Sequence, residues 1–159
     1  VERLAIGVGR LAAWLFLVAV GVTVWEVGAR YLFGAPTAWA HETTTTLCAV
    51  GFALGGAFAF ARNEHIRITV LFDRTPLGLR RLLDLFALLL GAVYLAGLGH
   101  AAWGQAAESI WRFDAGGWAP ELTPGPPNWP LPAIVRGFLL LGTVLFLACV
   151  IQRAATMLR

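Results

Sequence analysis

The groups in this chain that could bind a metal, move a proton or attack a substrate are few. They are three histidines, nine carboxylates and two cysteines. None of the histidines and cysteines falls at the short intervals that zinc sites use. No G-x-S-x-G elbow, phosphate-cradling loop or H-E-x-x-H pair is present. Glu26 and Arg30 are four apart, so on a helix they share a face and pair with each other. His41 and His100 are the two groups whose placement admits cofactor chemistry. If they lie near matching ends of neighbouring membrane helices, they could hold a haem between them. Cys48 and Cys149 fall at different depths on their helices, which predicts two packing thiols and no disulfide. Together these features predict a chain that is not an enzyme, with no cofactor and no bound metal.

The elements that position these groups follow from composition. Hydrophobic residues make up 58% of the 159, and charged residues only 13%. A soluble domain carries roughly 25% charged residues, because its surface needs them. This chain is too poor in charge to coat a water-soluble globule and too apolar to be disordered. It reads as an all-α integral membrane protein, a single unit over residues 1–159. A helix of about 20 apolar residues crosses a bilayer core of about 30 Å. Four stretches qualify, at about 11–31, 43–61, 82–103 and 131–151. The first is too long for a cleaved leader and has no small-residue cleavage site after it, so it reads as a retained helix.

All twelve basic residues are arginines, and they are not evenly placed. Arg3, Arg10, Arg62, Arg67, Arg74, Arg80, Arg81, Arg153 and Arg159 fall on one side of the four spans; only Arg30, Arg112 and Arg136 fall on the other. Positive charge is retained on the cytoplasmic side, so both termini and the middle loop are predicted inside. The arginines are scattered singly, which gives no patch for nucleic acid. Trp25, Trp39, Trp103, Trp111, Trp118 and Trp129 gather at the opposite, outer ends, and only Trp14 lies near the inner face. Indoles favour the headgroup zone, and an excess on one side also suits contact with a partner. The outer loop before span four is long and rich in Pro and Trp.

Within the second span, Gly51 and Gly55 form a G-x-x-x-G pair, backed by alanines at the same interval. Small residues let helix backbones approach closely, either inside this bundle or against another subunit. The middle loop reads Arg62-Asn63-Glu64-His65-Ile66-Arg67-Ile68-Thr69-Val70-Leu71, then Thr75-Pro76. Its brief alternation of apolar and polar residues suggests a short interfacial helix or a helix extension. Thr75 suits a helix N-cap and Pro76 the first helical position.

The run from Trp39 through His41-Glu42, the small-residue span and His65-Ile66-Arg67-Ile68 to Arg81 resembles the small membrane subunit, the DctQ type, of tripartite ATP-independent periplasmic (TRAP) transporters. The likeness covers most of the chain from about Tyr31. Two departures stand out. His41 occupies the place of the first of two motif acids, leaving Glu42, and Thr69 stands where the family has aspartate.

The resemblance implies a four-helix protein of the bacterial inner membrane with both ends inside. It further implies a scaffold that braces a large transport subunit (DctM type) and works with a periplasmic substrate-binding protein (DctP type). The complex would take up organic acids with sodium, and the binding protein would select the substrate. On that reading Trp39, Glu42, Gly51, Gly55, His65 and Arg67 are candidates for the partner interface. Glu26, Arg30, Trp111, Trp118 and Trp129 are candidates for the outer rim. A purely local reading stands beside it: Trp39 as a belt anchor, Glu42 as a helix N-terminal cap, His65 and Arg67 as headgroup contacts. The alternative function is a haem- or quinone-associated anchor subunit of a respiratory enzyme, through His41 and His100.

Overall fold

The computed structural model describes residues 1–62, 76–114, 116–125 and 127–157. Four long helices dominate: α1 (Glu2–Leu32), α2 (Ala38–Ala61), α3 (Leu77–Ile110) and α4 (Leu131–Met157). All four are long and apolar enough to cross a membrane. Each outruns the span expected from its charge-free stretch. The charge-free run marks the hydrocarbon crossing, but a helix continues into the headgroup zone wherever its backbone bonds can. Arg3, Arg10, Arg80 and Arg81 are all helical for that reason.

The ends have local causes. After α1, Gly34 takes φ 63° and the Ala35 N–H reaches back to the Ala29 carbonyl at 3.0 Å. That left-handed residue turns the chain and lets α2 run back along α1. Pro76 precedes α3 in an extended conformation, φ −64° and ψ 148°. It thus stands just outside the helix, one position earlier than expected, and its carbonyl accepts from the Arg80 N–H at 3.0 Å. The expectations for residues 63–75, including the interfacial segment, His65, Arg67 and the Thr75 cap, lie outside the described residues.

The helices form a row. α1 packs on α2, α2 on α4, and α4 on α3, so the fourth helix stands between the second and third. Lipid is as apolar as leucine, so burying leucine gains little between membrane helices; close approach of small residues gains dispersion instead. Every buried residue of α1 is small: Ala5, Gly9, Ala12, Ala19 and Ala29. A Cβ on Gly9 would meet the Phe58 ring of α2. The tightest point joins α2 and α4, where a Cβ on Gly142 would collide with the backbone carbonyl of Ala53. Farther along the same helices, Ala5, Ala57 and Cys149 form one buried cluster, and Leu88, Leu95 and Val150 join α3 to α4 with Phe60 and Phe146 packed against them. Cys149 is buried, Cys48 is half-buried, and both are free.

The loop between α3 and α4 contains a small departure from an all-helical chain. Phe113–Asp114 and Gly117–Trp118 pair antiparallel, with Gly117 at φ 113°. With the α1–α2 turn, this loop makes one end of the molecule, called the loop end below.

Candidate functional site

Three features at the loop end and on one broad face combine side-chain chemistry with shape. The first is a latch. Glu26, in the last two turns of α1, accepts from Arg30 Nε at 3.2 Å and Nη2 at 2.7 Å. Its other oxygen accepts from the Thr37 N–H at 3.0 Å and from the Thr37 hydroxyl. Thr37 is the N-cap of α2 and makes no side-chain cap of its own. One of the orphan donors at the start of α2 is therefore satisfied by a carboxylate from the preceding helix. The Glu26–Arg30 pair is legible from spacing; the Thr37 contact is not, because Thr37 lies eleven positions on, beyond a turn. This also corrects the local reading of Glu42: it sits in the second turn of α2, and Glu26 does the capping.

The second feature is a cleft of about 420 Å³ between the starts of α2 and α4, lined by polar side chains together with Leu131, Pro132 and Val135. His41, Glu42, Thr45 and Thr46 line one wall, and Arg136 and Thr123 the other. Arg136 is held by Glu121: Nη2 donates to Oε1 at 3.2 Å and Nη1 to Oε2. That pair ties the loop to α4 from fifteen residues away. Glu121 also donates its N–H to the Ser109 carbonyl at 2.9 Å, and Thr123 donates its N–H to the Trp129 carbonyl at 2.9 Å. Trp118 Nε1 caps the Ile110 carbonyl at 2.6 Å, closing the end of α3. The loop is thus bound to helix ends at several points. On it Trp111, Phe113 and Trp118 stay largely exposed, with the Trp111 ring 5.8 Å from that of Trp103. No signal in the sequence singled out Glu121 and Arg136 as partners; each looked like an isolated charge near a proline-rich loop.

The third feature is apolar relief. A groove of about 590 Å³ runs over α2 between walls from α1 and α4, with Trp129 and Thr43 toward its loop end. A second groove, of about 460 Å³, lies between α4 and the loop. The exposed ridge Ile134, Phe138 and Leu141 of α4 separates them.

The expected site residues distribute over these features. Glu42 lines the cleft, and Trp129 the first groove. Trp118 lines the second. Trp39 is half-buried on the first turn of α2. Gly51 is buried, and a Cβ there would meet the Phe16 ring 2.7 Å away. Gly55 has nothing within 4 Å of that position. The two glycines therefore serve different faces: Gly51 packs α1 on α2, and Gly55 faces open space. His41 and His100 are not brought together as neighbouring helices would allow. α4 stands between α2 and α3, His41 lies at the cleft, and His100 is exposed on α3.

Comparison with known proteins adds two findings. Residues 19–159 match the family profile described as tripartite ATP-independent periplasmic transporters, DctQ component. A stretch of 92 residues, 55% of this chain, is 30% identical to the sialic acid TRAP transporter small permease protein SiaQ of Vibrio cholerae. The match covers 53% of that relative, so the chain spans about half its length.

Proposed function

The chain belongs to the DctQ component family of the tripartite ATP-independent periplasmic transporters, and from that premise we propose that it braces the large transport subunit of a sodium-coupled carrier for organic acids. Family and spans make it a multi-pass protein of the bacterial inner membrane and a transport component. Bracing, substrate class and partners are what we propose. The observation that carries it is how little of each helix the chain covers by itself. Only 11–22% of the apolar window of each span is buried. A membrane protein with its own transport path keeps polar or charged groups at mid-depth. Here the middle of each described helix carries no charged side chain, the helices stand in a row, and the loop end is pinned by two carboxylates.

A row of helices with a grooved face suits a wall against which a larger subunit moves. The loop end, with Trp111 and Trp118 exposed, suits reception of a soluble binding protein if it faces the periplasm. The arginine bias supports that orientation. The relative's name refers to a sialic acid transporter; an acidic sugar fits a carboxylate solute, whose identity the binding protein would set.

The test is reconstitution. The tagged chain, purified in mild detergent, is expected to bring down a stoichiometric large membrane subunit. In liposomes the pair plus its binding protein is expected to accumulate an organic acid only under a sodium gradient. Recovery of the chain alone, or uptake without a sodium requirement, would overturn the corresponding part. Arg67→Ala is expected to lower the yield of the large subunit; unchanged yield and uptake would remove Arg67 from the interface.

A further inference from the structure

We infer that Arg136 is shared between two carboxylates, Glu121 of the loop and Glu42 of α2, and that this exchange makes the loop between α3 and α4 a releasable strap. With Arg136 on Glu121 the loop is tied to α4. With Arg136 on Glu42 the cleft is bridged and that tie is gone. The inference concerns this chain alone and goes beyond the small-subunit reading.

Helix register puts the second carboxylate within reach. α2 and α4 both start at the loop end, so they run parallel. Gly142 stands against Ala53, which sets Arg136, six residues earlier, level with Leu47. Glu42 lies five residues nearer the loop end, about 7.5 Å at the rise of an α-helix. Side chains lean toward the N-terminus of a helix, so Arg136 extends from the level of Leu47 toward that of Glu42. The two line one cleft from opposite walls, and Arg136 is the one arginine among the described residues that lines it.

The two carboxylates differ in what they would lose without Arg136. Its Nη2 donates to Glu121 Oε1 at 3.2 Å and its Nη1 to Oε2, but both side chains of the pair are a third exposed. Water can replace the guanidinium there, and an ion pair so exposed contributes little. Glu42 Oε2 is buried and has no hydrogen-bond partner among the described residues. An anionic oxygen withdrawn from water without a donor is costly, and a charged donor removes that cost. The arginine thus holds a weak bond to the loop while a poorly satisfied carboxylate stands in the same cleft.

Other bonds confine what is released. Trp118 Nε1 on the Ile110 carbonyl and the Glu121 N–H on the Ser109 carbonyl keep the first half of the loop on α3. The Thr123 N–H on the Trp129 carbonyl closes the second half on itself. The ion pair is the side-chain tie to α4. A force that draws the loop from α4 frees the guanidinium for Glu42, and a group that fills the cleft returns it to the loop.

The experiment reads amide hydrogen exchange at residues 121–125 by mass spectrometry, with the full chain in mild detergent. Sharing predicts opposite signs for the two carboxylates. Glu121→Gln is expected to speed exchange and Glu42→Gln to slow it, each about two- to fivefold, the range that an exposed ion pair commands. In an Arg136→Gln background, Glu42→Gln is expected to change nothing, because the shared cation is gone. Should Glu42→Gln fail to fold, Glu42→Asp decides by the same sign, since it keeps the charge but shortens its reach. Unchanged or faster exchange in the Glu42 variant would overturn the proposal, because Glu42 would then be indifferent to the loop or support it. Slower exchange that persists in the Arg136→Gln background would overturn it too, because the effect would travel by another contact.

Discussion

Glu26 shows how one carboxylate fixes a turn. It binds Arg30 on its own helix and both the N–H and the hydroxyl of Thr37 on the next chain segment. Gln at this position keeps the shape but loses the charge that makes such bonds strong. Glu26→Gln is expected to lower the thermal midpoint of the detergent-solubilised chain and to loosen the start of α2. Increased amide exchange at residues 37–40 would check the second effect; unchanged exchange would show that the turn holds itself. Arg30 is the more exposed partner, so Arg30→Ala is expected to do less, as surface pairs contribute little.

Contacts between elements depend on residues with almost no side chain. Gly142 lets α4 approach α2 until a Cβ would enter the Ala53 carbonyl. A rigid backbone cannot step aside as a long side chain can. Gly142→Val is therefore expected to separate the two helices, at a cost of about 3 kcal/mol or more from overpacking. Gly55 is the internal control. Nothing lies within 4 Å of its absent Cβ, and glycine inside a helix is about 0.5–1 kcal/mol less favourable than alanine. Gly55→Ala is expected to stabilise the chain by about that amount. Denaturant titration in mixed micelles would read both, and equal effects would mean that the α2–α4 approach is not what holds the row together. The loop depends on charge instead. Glu121→Gln is expected to release it from α4, seen as faster proteolysis between residues 111 and 130 with the helices intact.

The molecule as a whole is a row of helices with one relieved face, and its loop end is drawn together by ion pairs. The buried clusters lie mainly toward the other end, around Ala57 and Cys149. The closest approach lies in mid-helix, at Gly142 and Ala53, and at the loop end a cleft opens between the starts of α2 and α4. Orientation in the membrane is open to direct test. A cysteine at Gly116, in the exposed turn of the strand pair, is expected to react with a membrane-impermeant maleimide from the periplasmic side, in a background lacking Cys48 and Cys149. Labelling only after the inner membrane is opened would reverse the assignment.

Hydropathy alone located four membrane helices, because a backbone in lipid must bond to itself and an uncharged run of sufficient length has no other stable form. The Glu26–Arg30 pair was also legible, being a matter of helical spacing. The motif from Trp39 to Arg81 pointed to the family that the profile match then showed. What sequence could not supply was the order of the helices in space. Four apolar stripes of similar character admit several pairings in lipid. Close approach selects among them, and it depends on which small residues meet. Gly51 and Gly55 read as one motif, yet Gly51 packs under Phe16 and Gly55 faces open space, while the small stripe of α1 and Gly142 passed unnoticed. Placing α4 between α2 and α3 also separated His41 from His100 and joined Glu121 to Arg136. Local bonding and length are written along the chain, but the partners of a side chain on the far side of a turn exist only once the helices have packed.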